Sequence, residues 1–181
     1  MALDEAHAME IHPAQEPAPD WELSQAGRAA VWNQVPGRGP GGRMMNKIDP
    51  NVVPTQTFEW GAIKWLVSAR NIAGAGLTFG EVVLLPGKGH ARHNHPTSEE
   101  VLYVLSGHAV QMLNDEKPFS VGPGDTIYVP RGVFHSTVNV GWEPMRLIAL
   151  YNPQGAEKAL EGLPDFAEVP AGRAPSWSRA L

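Results

Sequence analysis

The sequence predicts an all-β domain of barrel or sandwich type, and three observations lead there. From residue 58 to residue 151, short runs of β-branched and aromatic residues recur, each closed by Gly or Pro. The chain carries 19 Gly and 17 Pro in 181 residues, a surplus that implies many tight reversals. Helical periodicity is nearly absent across the same span.

Taken in order, the runs predict strands at roughly 58–68, 76–85, 91–95, 99–105, 108–114, 118–121, 125–129, 134–140 and 145–151. The reversals between them fall at Pro86-Gly87, Ser106-Gly107, Asn114-Asp115, Gly122-Pro123-Gly124 and Arg131-Gly132. Such pairs supply the fixed or positive φ that tight turns require. A chain of this length supports one hydrophobic core, with the barrel assigned to 58–152.

The flanks read differently. Residues 1–20 are rich in Ala, Pro and Glu with no apolar period, which predicts a disordered tail holding His7 and His12. Residues 21–57 lead into the barrel as a helix and a loop: Trp21 to Trp32 with Asp20 as N-cap, then PGRGPGGR at 36–43. That glycine-arginine loop lacks the lysine pattern and the strand-to-helix setting of a phosphate cradle. Residues 153–181 read as one short helix over GAEKALEGLP followed by an irregular tail.

Charge and composition remove several function classes. With a formal charge of −5 and 14 Lys plus Arg forming no dense patch, the sequence gives no footprint for nucleic acid or an anionic membrane. No cysteine is present, so disulfide and thiolate chemistry are excluded. The N-terminus has no basic start followed by an apolar run, and no stretch approaches the ~18 apolar residues of a membrane helix. A cytoplasmic protein is expected.

Five of the seven histidines fall between His90 and His135. His93 and His95 are one residue apart, so on an extended strand both imidazoles project from one face. A carboxylate, Glu99 or Glu100, can enter from the next strand, and His135 opens a strand some forty residues on. Three imidazoles and one carboxylate form a donor set for a divalent ion that leaves two positions open on a six-coordinate metal. His90 precedes the pair on a loop, exposed or guarding the pocket mouth. His108 follows a turn and is expected at the surface, and Arg92 alternates away from the metal.

The surrounding residues carry a resemblance. Gly87, His93, His95, Glu100 and Gly107 stand at G-x5-H-x-H-x4-E-x6-G, and Gly124, Pro130, Gly132, His135 and Asn139 at G-x5-P-x-G-x2-H-x3-N. These are the two signature motifs of the cupin superfamily, matched at ten positions in order, with a chance on the order of 10⁻¹² for one alignment. The chain thus resembles a single-domain cupin over about residues 75–150. The resemblance implies a double-stranded β-helix, or jelly-roll, barrel with a short helix at each end. It also implies one divalent metal ion per chain, held by His93, His95, Glu100 and His135, with Fe(II) favoured and Mn, Ni or Zn as alternatives.

Counting back from Gly107 selects Glu100 over Glu99, and strand parity then turns Leu102 and Val104 inward beside it. Glu100 is both a ligand and a candidate acid or base. The pocket is expected to use Leu102, Val104, Met112 or Val110, Phe134 and Ile148, with Gln111 as a polar handle if the parity of that strand is reversed. Few Lys or Arg occur in the strands, which favours a small neutral substrate, carbonyl-bearing or aromatic. Trp60, Trp65 and Trp142 are core candidates that also mark possible contact surfaces, and WGAIKWLVS is expected to pair across a two-fold in a homodimer. The function expected first is a non-haem iron oxygenase; the alternatives are a metal-dependent lyase, isomerase or decarboxylase, and a metabolite-binding cupin without catalysis.

Overall fold

A computed structural model of the chain describes residues 47–176. The expected tail at 1–20 and the expected helix at 21–32 lie outside the described residues. Ten strands follow a short 3-10 turn at Pro50–Val52. They are β1 (Thr55–Phe58), β2 (Gly61–Val67), β3 (Thr78–Leu84), β4 (Glu99–Ser106), β5 (Ala109–Leu113), β6 (Phe119–Val121), β7 (Thr126–Val129), β8 (His135–Asn139), β9 (Met145–Asn152) and β10 (Ala167–Val169). One sheet runs β10-β1-β2-β3-β9-β4-β7 and the other β6-β5-β8, with every pair antiparallel.

Alternation along the strands builds the core. On β3, β4 and β9 every second residue is buried, as a sheet with one face inward requires. The pairing stacks these inward residues in rungs. Thr78, Tyr151, Glu100 and Val129 form one; Trp65, Gly80, Ala149, Leu102 and Ile127 form the next; Ile63, Val82, Leu147 and Val104 form a third. Gly80 contributes no side chain because the Trp65 ring fills its place: a Cβ there would lie 2.5 Å from that ring.

Several departures from the sequence reading have local causes. The run expected at 58–68 is two strands, because Glu59 and Trp60 make a tight reversal between Phe58 and Gly61. Gly61 takes φ +153°, and a Cβ on it would sit 1.8 Å from the Val83 carbonyl oxygen. Residues 91–95 form no continuous strand. Two isolated bridges, Gly89 to Val138 and His93 to His135, set four steps of chain against three, and this bulge breaks the ladder.

The short helix expected over GAEKALEGLP is a 3-10 helix at Ala156–Gly162, but the tail after it, expected to be irregular, supplies β10, which pairs with β1. Three residues reading Ala-Glu-Val are too short to show a period. Trp60 and Trp65 are buried in this chain's own core, whereas Trp142 is 88% exposed. Both edges of β2 are occupied, by β1 and by β3, so WGAIKWLVS offers no open edge for pairing across a two-fold. Among the described residues, no helix is long and apolar enough to cross a membrane.

The end of the barrel remote from the histidines is held by Asn139. Its buried amide donates to the carbonyls of Leu84 (3.0 Å) and Glu143 (2.8 Å) and accepts from the Gly141 N–H (2.8 Å). Replacing a buried, fully bonded amide leaves backbone groups unsatisfied. Asn139→Ala is expected to destabilise the fold by about 2–4 kcal/mol, three lost bonds at roughly 1 kcal/mol each plus desolvation, read as a lowered midpoint in urea unfolding.

Candidate metal centre

Backbone pairing brings the site together before any side chain is considered. The His93 N–H donates to the His135 carbonyl (3.1 Å) and the His135 N–H to the His93 carbonyl (2.8 Å). A residue pair that exchanges both bonds places its two side chains on one face. Gly89 allows the approach: a Cβ there would lie 2.2 Å from the Thr137 carbonyl oxygen. The Pro130-Arg131-Gly132 turn then fixes His95, because the Gly132 N–H donates to the His95 carbonyl at 3.0 Å. Glu100 arrives from β4, between Tyr151 of β9 and Val129 of β7.

The result is a cluster in which one ligand atom from each of His93, His95, Glu100 and His135 lies within 4.8 Å of all the others. Glu100 is 3% exposed and His135 2%. Glu99, the rival carboxylate, points outward and accepts from Tyr128 Oη and Asn152 Nδ2, each at 2.8 Å.

Hydrogen bonds behind the cluster set the tautomers. Nδ1 of His93 faces the Ala91 carbonyl (2.8 Å) and Nδ1 of His135 the Val133 carbonyl (3.2 Å). A carbonyl only accepts, so each Nδ1 carries a proton, which leaves Nε2 as the ligand atom of each ring. Burial, followed by the neighbouring His90 and His135 rings, holds His93 neutral down to about 3.

The donor set fits a cation. Nε2 of His135 lies 2.7 Å from Glu100 Oε2, and Nε2 of His95 lies 3.5 Å from the same oxygen. Both His95 Nε2 and Glu100 Oε2 are buried without a hydrogen-bond partner. Acceptor atoms converging in a dry pocket require a positive charge between them, and imidazole with carboxylate suits a divalent transition ion.

His93, Glu100 and His135 of the cluster form one wall of a cavity of about 50 Å³ whose remaining walls are mostly apolar: Ile63, Val82, Leu84, Leu102, Leu147, Ala149 and Leu160, with the Trp60 ring. Of the expected pocket residues, Leu102 is there. Val104 is buried one rung further from the site and does not line the cavity. Phe134 faces solvent under the Arg92 guanidinium, 5.0 Å from its ring, and Arg92 also pairs with Asp115 at 2.8 Å. Met112, Val110 and Ile148 sit on the outward alternation of β5 and β9, so Leu147 and Ala149 take the place expected of Ile148. Gln111 lies on the inward alternation of β5 with Ala109, is fully buried, and stands behind Thr137. His108 is exposed.

Two lining residues with titratable side chains stand outside the motif positions. His90 packs between Trp60 (ring centroids 5.3 Å apart) and His93 (4.0 Å), where burial and then the nearby His135 lower it to about 4. Tyr151 is the cross-strand partner of Glu100, with its ring 4.7 Å from that of His95. Its place was readable only as the inward end of β9, two residues beyond Ala149.

Residues 80–151 match the Cupin domain family. The chain belongs to the cupin superfamily. This cupin is 32% identical over 108 residues to an uncharacterized protein of Methanocaldococcus jannaschii, covering 60% of this chain and 82% of that one. It is 27% identical over 124 residues to the tetracenomycin polyketide synthase protein TcmJ of Streptomyces glaucescens, covering 68% and 82%. Among solved structures it resembles the polyketide cyclase RemF from Streptomyces resistomycificus at a TM-score of 0.53 and 23% identity, over 60% of this cupin and 80% of RemF.

Substitutions separate the two glutamates. His135→Ala and Glu100→Ala are expected to abolish stoichiometric metal retention, measured by elemental analysis of the purified protein. Glu99→Ala is expected to retain the metal content of the parent; the reverse ranking of the two glutamates would overturn this ligand set.

Proposed function

We propose that this cupin is a metal-dependent enzyme acting on a small carbonyl-bearing molecule without consuming oxygen, as a lyase or isomerase. The observation that carries this reading is the pairing of the four-donor cluster with a protonated phenol on the same cavity wall. A divalent ion held by His93, His95, Glu100 and His135 would supply Lewis acidity toward a carbonyl oxygen. Burial first, and then the Glu100 charge, push the Tyr151 phenol well above its ordinary value, so it keeps its proton at neutral pH. Such a group can donate to an oxygen that gains negative charge. The apolar walls exclude water and carry no Lys or Arg, which suits a substrate that is uncharged away from the group it would present to the ion. The similarity to TcmJ, a protein named for polyketide synthesis, also favours carbonyl-rich substrates.

The apolar lining supports a second reading, the iron-dependent oxygenase, since dioxygen partitions into such cavities and the His and carboxylate donors suit Fe(II). The two readings part on oxygen and metal. Under the first, turnover of a 1,3-dicarbonyl or related polyketone persists anaerobically with Mn or Zn, and an oxygen electrode records no substrate-dependent uptake. Loss of turnover under argon, restored by air and Fe(II), would establish the second instead.

Tyr151→Phe isolates the phenol. It is expected to leave metal content and fold intact while lowering kcat by about 10²–10³-fold, the usual contribution of a positioned acid; an unchanged kcat would remove Tyr151 from the reaction.

A further inference from the structure

At the cavity wall and just behind it lies a polar pair that the ligand set does not use. Gln111 of β5 and Thr137 of β8 are direct cross-strand partners, at 0% and 8% exposure in surroundings that are otherwise largely apolar. Thr137 lines the cavity, and Gln111 does not. A buried amide costs free energy unless its atoms are bonded, and here the bonds fix a direction. Gln111 Nε2 donates to the Met112 carbonyl at 3.3 Å, which leaves Oε1 toward Thr137. Because Oε1 only accepts, the Thr137 hydroxyl must give it its single proton, in a bond of 2.6 Å. What remains on Thr137 Oγ1 is lone-pair capacity alone.

We propose that Thr137 is a specificity-determining residue, locked by Gln111 as a hydrogen-bond acceptor. The site then selects substrates that present an O–H or N–H donor at the end away from the metal ligands. Thr137 stands two residues beyond His135 on the same face of β8, a rise of about 7 Å along the strand. A molecule anchored at the ligand cluster therefore reaches Thr137 with a group a few bonds from its anchoring oxygen. A hydroxyl there bonds to Oγ1, whereas a carbonyl would set oxygen lone pairs against oxygen lone pairs. The inference rests on the reading that this cavity takes a small organic substrate at a metal site, and it narrows the class to hydroxyl- or amine-bearing molecules.

The test compares probes that share a carboxylate anchor and differ at the far end. 4-Hydroxybutyrate and 4-oxopentanoate are titrated calorimetrically into the full chain loaded with Zn²⁺. The wild-type protein is expected to bind the hydroxy acid roughly tenfold more tightly, the worth of one hydrogen bond made against one refused. Thr137→Ser keeps the hydroxyl and is expected to keep that ratio, and Thr137→Val to bring it close to unity. Gln111→Met frees the hydroxyl to donate and is expected to improve binding of the oxo acid relative to the wild type. Equal binding of both probes by the wild type, binding of neither, or an unchanged ratio in Thr137→Val would each overturn the proposal. Turnover failing with the ratio intact would count against the enzymatic reading alone; turnover with no ratio would count against Thr137 alone.

Discussion

The double hydrogen bond between the backbones of His93 and His135 is the constraint on which the site depends. These residues are forty-two positions apart, and neither bond involves an imidazole. By pairing, they bring the stretch before β4 against β8, and the remaining donors fall into reach. The Gly132 N–H then holds His95 through its carbonyl, so the proline-glycine turn of one motif positions a ligand of the other. Side-chain chemistry is thus delivered by main-chain geometry, which tolerates much less drift than side chains extended into solvent.

With the donors fixed, electrostatics decides what they are for. Each of His93 and His135 gives its Nδ1 proton to a carbonyl behind it, and both turn Nε2 forward as the ligand atom. Glu100 adds a carboxylate on the same spot while Glu99, one residue away, is spent on surface hydrogen bonds. The concentration of acceptors in a buried place is unfavourable by itself and becomes favourable with a cation present. An ion held there would couple its binding to folding, because the interactions that close the barrel also assemble the donors that would hold it.

What the sequence disclosed follows from how local each signal is. Strand parity at Glu100, Leu102 and Val104 was legible because three alternating residues and a glycine turn fix the phase. The parity of β5 was open, since Val110, Gln111 and Met112 give no alternation to read, and only the pairing with β8 decides it. Gly61 looked like an interior residue of one long strand because the reversal at Glu59 and Trp60 carries an aromatic that is buried and not a polar turn residue. Tyr151, and the choice between an exposed His90 and one at the pocket, were hidden for another reason. Their relation to the cluster is set by cross-strand neighbours and ring contacts far apart in the chain, and no spacing rule expresses that.

The cavity is not made by the family-matched stretch alone. Trp60 and Ile63 precede residue 80, and Leu160 follows residue 151, yet all three line it. The last of these is carried by the 3-10 turn that Glu157 ties to the barrel, accepting from Thr78 Oγ1 at 2.8 Å on the same rung as Tyr151 and Glu100. Ion-holding residues and these wall residues thus occupy separate stretches of chain. Changes in the flanks can reshape what the cavity admits while the donor cluster stays untouched, so the walls form a modular set and a different occupant can be reached by editing the wrapping instead of the core.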